Sequence, residues 1–243
     1  MSGGSLFTQE FLKRGIKETP EWRALSQSDV DLFRDGVRDV VERFTKQRAP
    51  SEQRTEDELI WKILQDLGWQ HWTRQVPLSA RGREAVPDGL LFADASEKDA
   101  ADSLGTDPRA YEHGLAIVES KRWQRQLDRK ATRGHAGEID VPSSQMLRYL
   151  RRVDDLTKGG VRWGILTNGR FWRLYFQGAR SVSEDFFEVD LARLVRAEGF
   201  DPTLFDGAGP GDDHAHDHGP DSHTHGPDIR TLDASGTTGG EER

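Results

Sequence analysis

Val86-Pro87-Asp88-Gly89-Leu90-Leu91-Phe92 and, further along, Leu115-Ala116-Ile117-Val118-Glu119-Ser120-Lys121 are short stretches in which an apolar run follows Asp88 or leads into Glu119 and Lys121. Such runs, bounded by Gly, Pro or polar clusters, read as strands over 86–93 and 115–121, with a third over 71–76 before them. Side chains alternate along a strand, so Glu119 and Lys121 point to the same side. If the two strands pair, Asp88, Glu119 and Lys121 meet at one edge of a sheet. Phosphodiester hydrolysis uses such a set: carboxylates hold Mg²⁺, and a lysine orients or helps deprotonate the attacking water. A structural ion pair is the other reading of Glu119 and Lys121, since a carboxylate emerging from an apolar run is costly unless a cation matches it. A second acid-x-Lys triplet, Asp128-Arg129-Lys130, follows no apolar strand and reads as a solvated charge cluster.

Working outward from these strands, the period becomes helical. Val30, Phe33, Val37, Val40, Val41 and Phe44 mark an amphipathic helix over 28–47, with Ser28 as its N-cap, and a shorter helix is expected over 6–16. Pro50 and Ser51 open another helix, whose face carries Leu59, Ile60, Ile63, Leu64 and Leu67 and which stops at Gly68. Residues 94–112 are polar and acidic, as expected of a surface insertion. Ser143 or Ser144 can cap a helix bearing Met146, Leu147, Leu150 and Val153 and ending near Gly159-Gly160. Strands over 161–166 and 171–176 then join at Asn168-Gly169, a strong hairpin signal because both positions tolerate positive φ. A last strand over 186–189 and a helix over 191–197 follow. The order is that of a mixed α/β fold. The seven Trp read as core rather than as stacking platforms, since Trp163 and Trp172 sit in strands.

From residue 207 the chain turns to Gly, Asp, His and Pro without periodicity, as a disordered tail does. The 243 residues then divide into an N-terminal helical region (1–50), a core (51–206) and the tail (207–243). The net charge of −8 sits in the tail: from Asp201 onward there are ten acidic residues and two arginines, while residues 1–200 hold 32 of each sign. Within the neutral part, residues 121–152 carry nine Lys or Arg, enough for a local phosphate-binding surface. Zero Cys excludes disulfides, thiol catalysis and Cys-ligated zinc. With no apolar run near the roughly 18 residues of a membrane span and no signal-peptide pattern, a cytoplasmic protein that does not engage a membrane is expected.

The wider context resembles a known family. Pro87-Asp88, followed 31 residues later by Glu119-Ser120-Lys121, resembles the PD-(D/E)xK nuclease signature. Ser51-Glu52-Gln53-Arg54-Thr55, Leu59-Ile60 and Leu67-Gly68-Trp69 resemble the helix preceding the nuclease core in type I restriction subunits and type IIG restriction-modification enzymes. Pro142 to Leu150 and Trp163 to Trp172 resemble segments that follow the motif in type IIG proteins. The resemblance implies a restriction-endonuclease-like mixed sheet flanked by helices, and a Mg²⁺-dependent DNA endonuclease in which Mn²⁺ can substitute. It implies Asp88 and Glu119 as metal ligands, Lys121 as the catalytic lysine, Glu52 as a supporting helical carboxylate, and Gln145 with Tyr149 as a further Gln-x-x-x-Tyr element. Arg122, Arg125 and Arg148 are then expected on the DNA backbone. Type IIG chains continue into a methyltransferase and a target-recognition domain, absent here, so sequence choice is expected from a methyltransferase or specificity subunit.

Two other functions compete. One is a catalytically silent DNA-binding or assembly module of the same fold. The other is a metal-buffering interaction protein acting through His214, His216, His218, His223 and His225 and the neighbouring Asp residues. Ordering so loose a segment around an ion costs entropy, which counts against the second.

Overall fold

Ser26, not Ser28, opens the longest helix. Its hydroxyl accepts from the Asp29 backbone N–H while the Asp29 carboxylate accepts from the Ser26 N–H, a reciprocal capping box that leaves Ser28 inside the helix. The computed structural model describes residues 4–46, 50–79, 86–129 and 141–191. Within the first segment lie α1 (Gln9–Lys13), α2 (Pro20–Ala24) and α3 (Gln27–Thr45). The helix expected over 6–16 is thus shorter, and a 3-10 turn, Gly15–Glu18, follows it. Val37, Val40, Val41 and Phe44 of α3 are buried with Leu59, Ile63 and Leu191.

Ser51 caps the next helix as the sequence suggests, accepting from Arg54 N–H at 3.2 Å. The helix runs as α4 (Glu52–Thr55), a π segment (Glu56–Ile60) and α5 (Trp61–Asp66), and Gly68 at φ 94° ends it. Then come β1 (Trp72–Arg74), β2 (Gly89–Leu91), α6 (Ala95–Ser103), a 3-10 helix (Pro108–His113) and β3 (Ala116–Ser120). Residues 94–112 are therefore not a surface insertion. Asp94 caps α6 through Glu97 N–H, and Ala101, Ala110 and Tyr111 are buried in the core, with the Tyr111 hydroxyl donating to Val76 O at 2.7 Å. The chain ends its described part with α7 (Pro142–Thr157), β4 (Trp163–Thr167), β5 (Phe171–Phe176) and β6 (Phe186–Asp190). Pro142 takes the first position of α7, and no side chain caps it, so neither Ser143 nor Ser144 does. The helix expected over 191–197, apart from Leu191, and the tail from 207 lie outside the described residues.

The six strands form one sheet in the order β1-β2-β3-β4-β5-β6, antiparallel except between β3 and β4, which run parallel. This is the mixed α/β sheet flanked by helices that the pattern of elements requires. Alternation divides it cleanly. Leu90, Phe92 and Ile117 face α7 through Met146, Tyr149, Leu150 and Val153, whereas Leu91, Ala116 and Val118 face Ile60, Trp61 and Leu64. Gly89 is required where the helix comes closest: a Cβ there would lie 2.4 Å from the Trp61 ring. The β4–β5 hairpin turns at Asn168-Gly169 as expected, but only Gly169 takes positive φ (85°). Asn168 instead closes the turn with its side chain, its Oδ1 accepting from the N–H groups of Arg170 and Phe171. Trp61 is buried against the sheet, Trp69, Trp72, Trp123, Trp163 and Trp172 are partly buried against the core, and Trp22, 43% exposed on α2, is not a core residue. Among the described residues no helix is long and apolar enough to cross a membrane.

Lys158 ends α7 in the left-handed conformation, φ 51° and ψ 41°, immediately before Gly159, whose N–H bonds Asp154 O at 2.9 Å. A side chain pays a steric cost there that glycine does not. Lys158→Gly is expected to stabilise the protein by about 0.5–1 kcal/mol, the steric relief outweighing the greater entropy of the unfolded glycine chain. A urea titration checks this: the midpoint should rise with the slope unchanged.

Candidate active site

β2 and β3 pair with Gly89 opposite Val118, which sets Asp88 across from Glu119 where the antiparallel ladder runs out. This is also the carboxyl end of the parallel pair β3–β4, the end at which open α/β sheets place ligands. α4 brings the opening turn of its helix to the same place: Thr55 Oγ1 accepts from Trp123 N–H at 3.2 Å, tying the helix to the chain just beyond β3.

Glu119 and Lys121 point to one side of β3 and form an ion pair there. Glu119 is 1% exposed, and its Oε2 is buried with no hydrogen-bond partner among the described residues. Burial, and secondarily the charge of Asp88, pushes this carboxyl up to about 8, with Lys121 opposing the rise. The Lys121 side chain is 12% exposed and its Nζ also lies 4.0 Å from Glu52 Oε1. Burial disfavours its ammonium, but Glu119 and Asp88 outweigh that and hold its pKa above the ordinary lysine value.

Ser120 faces the helix side of the strand, and two contacts of its hydroxyl organise that half of the site. Its backbone N–H and its Oγ both lie 2.7 Å from Asp88 Oδ2, and the same Oγ lies 2.6 Å from Glu56 Oε1. Glu52, Glu56 and Asp88 each offer an oxygen within 4.8 Å of the others. Burial raises the Glu56 carboxyl, partly countered by the Ser120 hydrogen bond and reinforced by Asp88. These donors are all hard oxygens, a set suited to Mg²⁺, Mn²⁺ or Ca²⁺ rather than to soft-ligand metals. The unpartnered Glu119 Oε2 is a further donor of the same kind, so the residues fit a divalent cation.

Sequence reading named Asp88, Glu119, Lys121 and Glu52, and the structure brings all four together. The Nε2 of Gln145 donates to the Tyr149 hydroxyl at 2.9 Å, and Tyr149 is close enough to feel the charges of Glu119, Lys121 and Asp88. Glu56 and Ser120 were missed. Glu56 follows Glu52 by one helical turn and could have been found from that spacing. Ser120 carried only the cue of a small hydroxyl residue at the position facing away from the pair.

The basic residues separate. Arg122 and Arg148 are exposed, with Arg151 and Arg152 also exposed along α7. Arg125 is not a surface residue: it is 7% exposed, and its Nη1 donates to Gln126 O. Gln124 at φ 60° turns the chain back, and Asn168 Nδ2 donates to Arg125 O at 2.7 Å, tucking the segment under the β4–β5 turn. Lys130 and Arg133 lie outside the described residues, as do the histidines of the tail. Asp128 is more than a solvated charge, since its two oxygens take a bidentate pair from Arg173 at 2.7 and 2.8 Å, and that hydrogen bonding holds its carboxyl below the usual range. Asp128 of the second triplet, its side chain still 61% exposed, is thus the partner of Arg173 on β5.

No protein-family model matches the chain, and neither the curated proteins nor the solved structures include a match to it.

Proposed function

We propose that this chain is a divalent-metal-dependent DNA endonuclease domain of a restriction or related defence system, on a restriction-endonuclease-like version of the mixed sheet. One observation carries the reading: the carboxyl end of β3 gathers the carboxylates of Asp88, Glu119 and Glu52 beside the buried ammonium of Lys121, with Glu56 next to Glu52 and Asp88. Asp88, Glu119 and Glu52 would hold Mg²⁺ or Mn²⁺, which when bound polarises a phosphoryl oxygen and lowers the pKa of water.

The chain's own groups do the rest. Lys121, anchored between Glu119 and Glu52, presents a fixed positive charge at the place where the attacking water must be oriented. The N–H of Ser120 fixes the Asp88 carboxylate in one direction, and its single hydroxyl proton serves either Asp88 or Glu56. Gln145 holds Tyr149 behind this group as a positioning residue. Arg122 and Arg148, with Arg151 and Arg152, give a cationic surface for backbone phosphates, which supports affinity without base readout. A methyltransferase or specificity subunit would supply the choice of sequence.

The test is nicking of supercoiled plasmid by the full chain, with such a partner supplied. Cutting should require Mg²⁺ or Mn²⁺, stop with chelator, and disappear in Glu119→Gln while Asp128→Asn keeps it. Metal-independent cutting, or loss in Asp128→Asn with Glu119→Gln active, would reject the assignment.

A further inference from the structure

β1 closes one edge of the sheet and ends beside the site. Its last residue, Arg74, pairs with Gly89, and the residue after it, Gln75, donates its N–H to Asp88 O at 3.3 Å. Gln75 does so at φ 56°, a conformation that side chains resist and that clusters at ligand clamps. Alternation turns Trp72 and Arg74 to the face that carries α4 and α5, and both rest on Trp61 there. Trp72 stacks on its ring with centroids 5.4 Å apart, and the Arg74 guanidinium lies 5.0 Å from the Trp61 centroid. Asp57 of the π segment meets Arg74 Nη1 at 2.6 Å. Ring and carboxylate thus hold the guanidinium while its side chain stays 39% exposed.

This placement does little for the fold. Asp57 is 43% exposed, and an ion pair so open to water adds little stability. What it supplies is a fixed positive charge at the mouth of an acidic site. That charge reaches Glu56, where it works against the rise that burial imposes on the carboxyl. Lys121 cannot meet the backbone of a substrate in the same way, because its ammonium is only 12% exposed and is engaged by Glu119, with Glu52 beside it. The exposed arginines of α7, Arg148, Arg151 and Arg152, belong to the opposite face of the sheet. Exposed cations therefore stand on both sides of the edge at which Asp88 and Glu119 meet.

We infer that Arg74 binds a backbone phosphate of the DNA on the α4–α5 side of the site, so that the strand crosses the carboxyl end of β3 between the α7 arginines and β1. The inference rests on the nuclease reading for the identity of the substrate. Asp57 meets the guanidinium at Nη1, and the planar fork has further N–H groups for phosphate oxygens. The stack on Trp61 sets the plane of that fork before any phosphate arrives, which lowers the ordering cost of binding.

The experiment follows binding of the full chain to a short duplex of arbitrary sequence by fluorescence anisotropy, in chelator, across a range of salt. Arg74→Ala should bind about 10-fold more weakly, and the slope of log K against log salt should fall by about 1, as loss of one phosphate contact requires. Arg74→Lys keeps the charge but not the planar stack, so it should keep the slope and bind less tightly than wild type. Asp57→Asn breaks the same ion pair from its other end and should bind at least as tightly as wild type, since it removes the competitor of the phosphate. Arg109→Ala is the matched control: that arginine also pairs with a neighbouring aspartate, Asp107, but it precedes β3, at the end away from Asp88, and its loss should change neither affinity nor slope. Melting scans verify that the variants fold. A wild-type slope in Arg74→Ala overturns the inference, and so do equal losses in Arg74→Ala and Asp57→Asn, which would mark a structural pair. Plasmid nicking run alongside separates the two ideas, with KM expected to rise about 10-fold in Arg74→Ala and kcat to change less. Metal-dependent nicking whose KM ignores Arg74→Ala keeps the nuclease and rejects the contact, whereas a wild type that neither binds nor nicks rejects the nuclease reading itself.

Discussion

Lys121→Met is expected to leave the metal-free protein about 3–5 kcal/mol less stable than wild type in alkaline buffer, the loss typical of a buried pair deprived of one partner. The Lys121 and Glu119 side chains are only 12% and 2% exposed, so water cannot replace the ammonium. The protein's escape is to protonate Glu119, whose carboxyl burial and Asp88 already push up to about 8 against an ordinary 4.5. A carboxyl raised on folding favours the native state below its unfolded pKa, and that contribution is lost as pH rises through the folded value. Through Glu119, metal-free stability therefore falls between about 4.5 and about 8. In Lys121→Met the fall should continue to higher pH, and the deficit against wild type should be smallest near the acid end of that window. Glu119→Gln should flatten the dependence, and the double variant should recover most of what Lys121→Met loses. Urea titrations in chelator across that range decide the matter. A Lys121→Met protein as stable as wild type in alkaline buffer would mean that the pair does not share a buried site. Cleavage should be lost in Lys121→Met at every pH, since the removed charge sits where the water must be placed.

What could be read from the sequence was governed by local rules, and what was hidden depended on contacts distant in the chain. The strand ending in Glu119-Ser120-Lys121 was legible because an apolar run with terminal charges has few alternatives, and alternation paired Glu119 with Lys121. Its neighbour was placed correctly but drawn too long: residues beside Pro87 cannot all join a ladder, and only Gly89–Leu91 does. Alternation also sent Ser120 away from the pair, and nothing in one strand reveals that a helix carrying Glu56 waits on that side. Residues 94–112 misled through composition, since a polar segment conceals the three positions, Ala101, Ala110 and Tyr111, that face inward. Arg125 misled for a backbone reason, because a non-glycine residue at positive φ, Gln124, reverses the chain without a sequence signal. At Asn168-Gly169 the turn was legible and its conformation was not, as Asn168 bonds the backbone through its side chain instead of adopting positive φ.

Asp88→Asn should have the opposite effect on the metal-free fold and should also abolish the response to metal. Asp88 raises the carboxyls of both Glu56 and Glu119, so its charge works against the two groups it faces. Asn keeps the shape and an oxygen able to accept from the Ser120 N–H, which now holds Asp88 at 2.7 Å. In chelator the variant should melt at or above wild type. A cation that binds only the native state adds RT ln(1 + [L]/Kd), about 2.7 kcal/mol at roughly 100 times Kd. For a folded unit of this size that is an upward shift of about 5–10 °C. Wild type should show this shift with Mg²⁺ or Mn²⁺, and Lys121→Met should too, because it keeps every carboxylate. Asp88→Asn should not, since Asp88 is one of the carboxylates that would hold the cation. Its cleavage should fall by far more than the roughly 10–100-fold that loss of an outer-shell partner costs a metal site. Melting scans with and without metal, beside plasmid nicking, test both halves. An Asp88→Asn protein that melts well below wild type in chelator would show that Asp88 holds the fold through Ser120 rather than straining it, and one that keeps the metal shift would place the cation elsewhere.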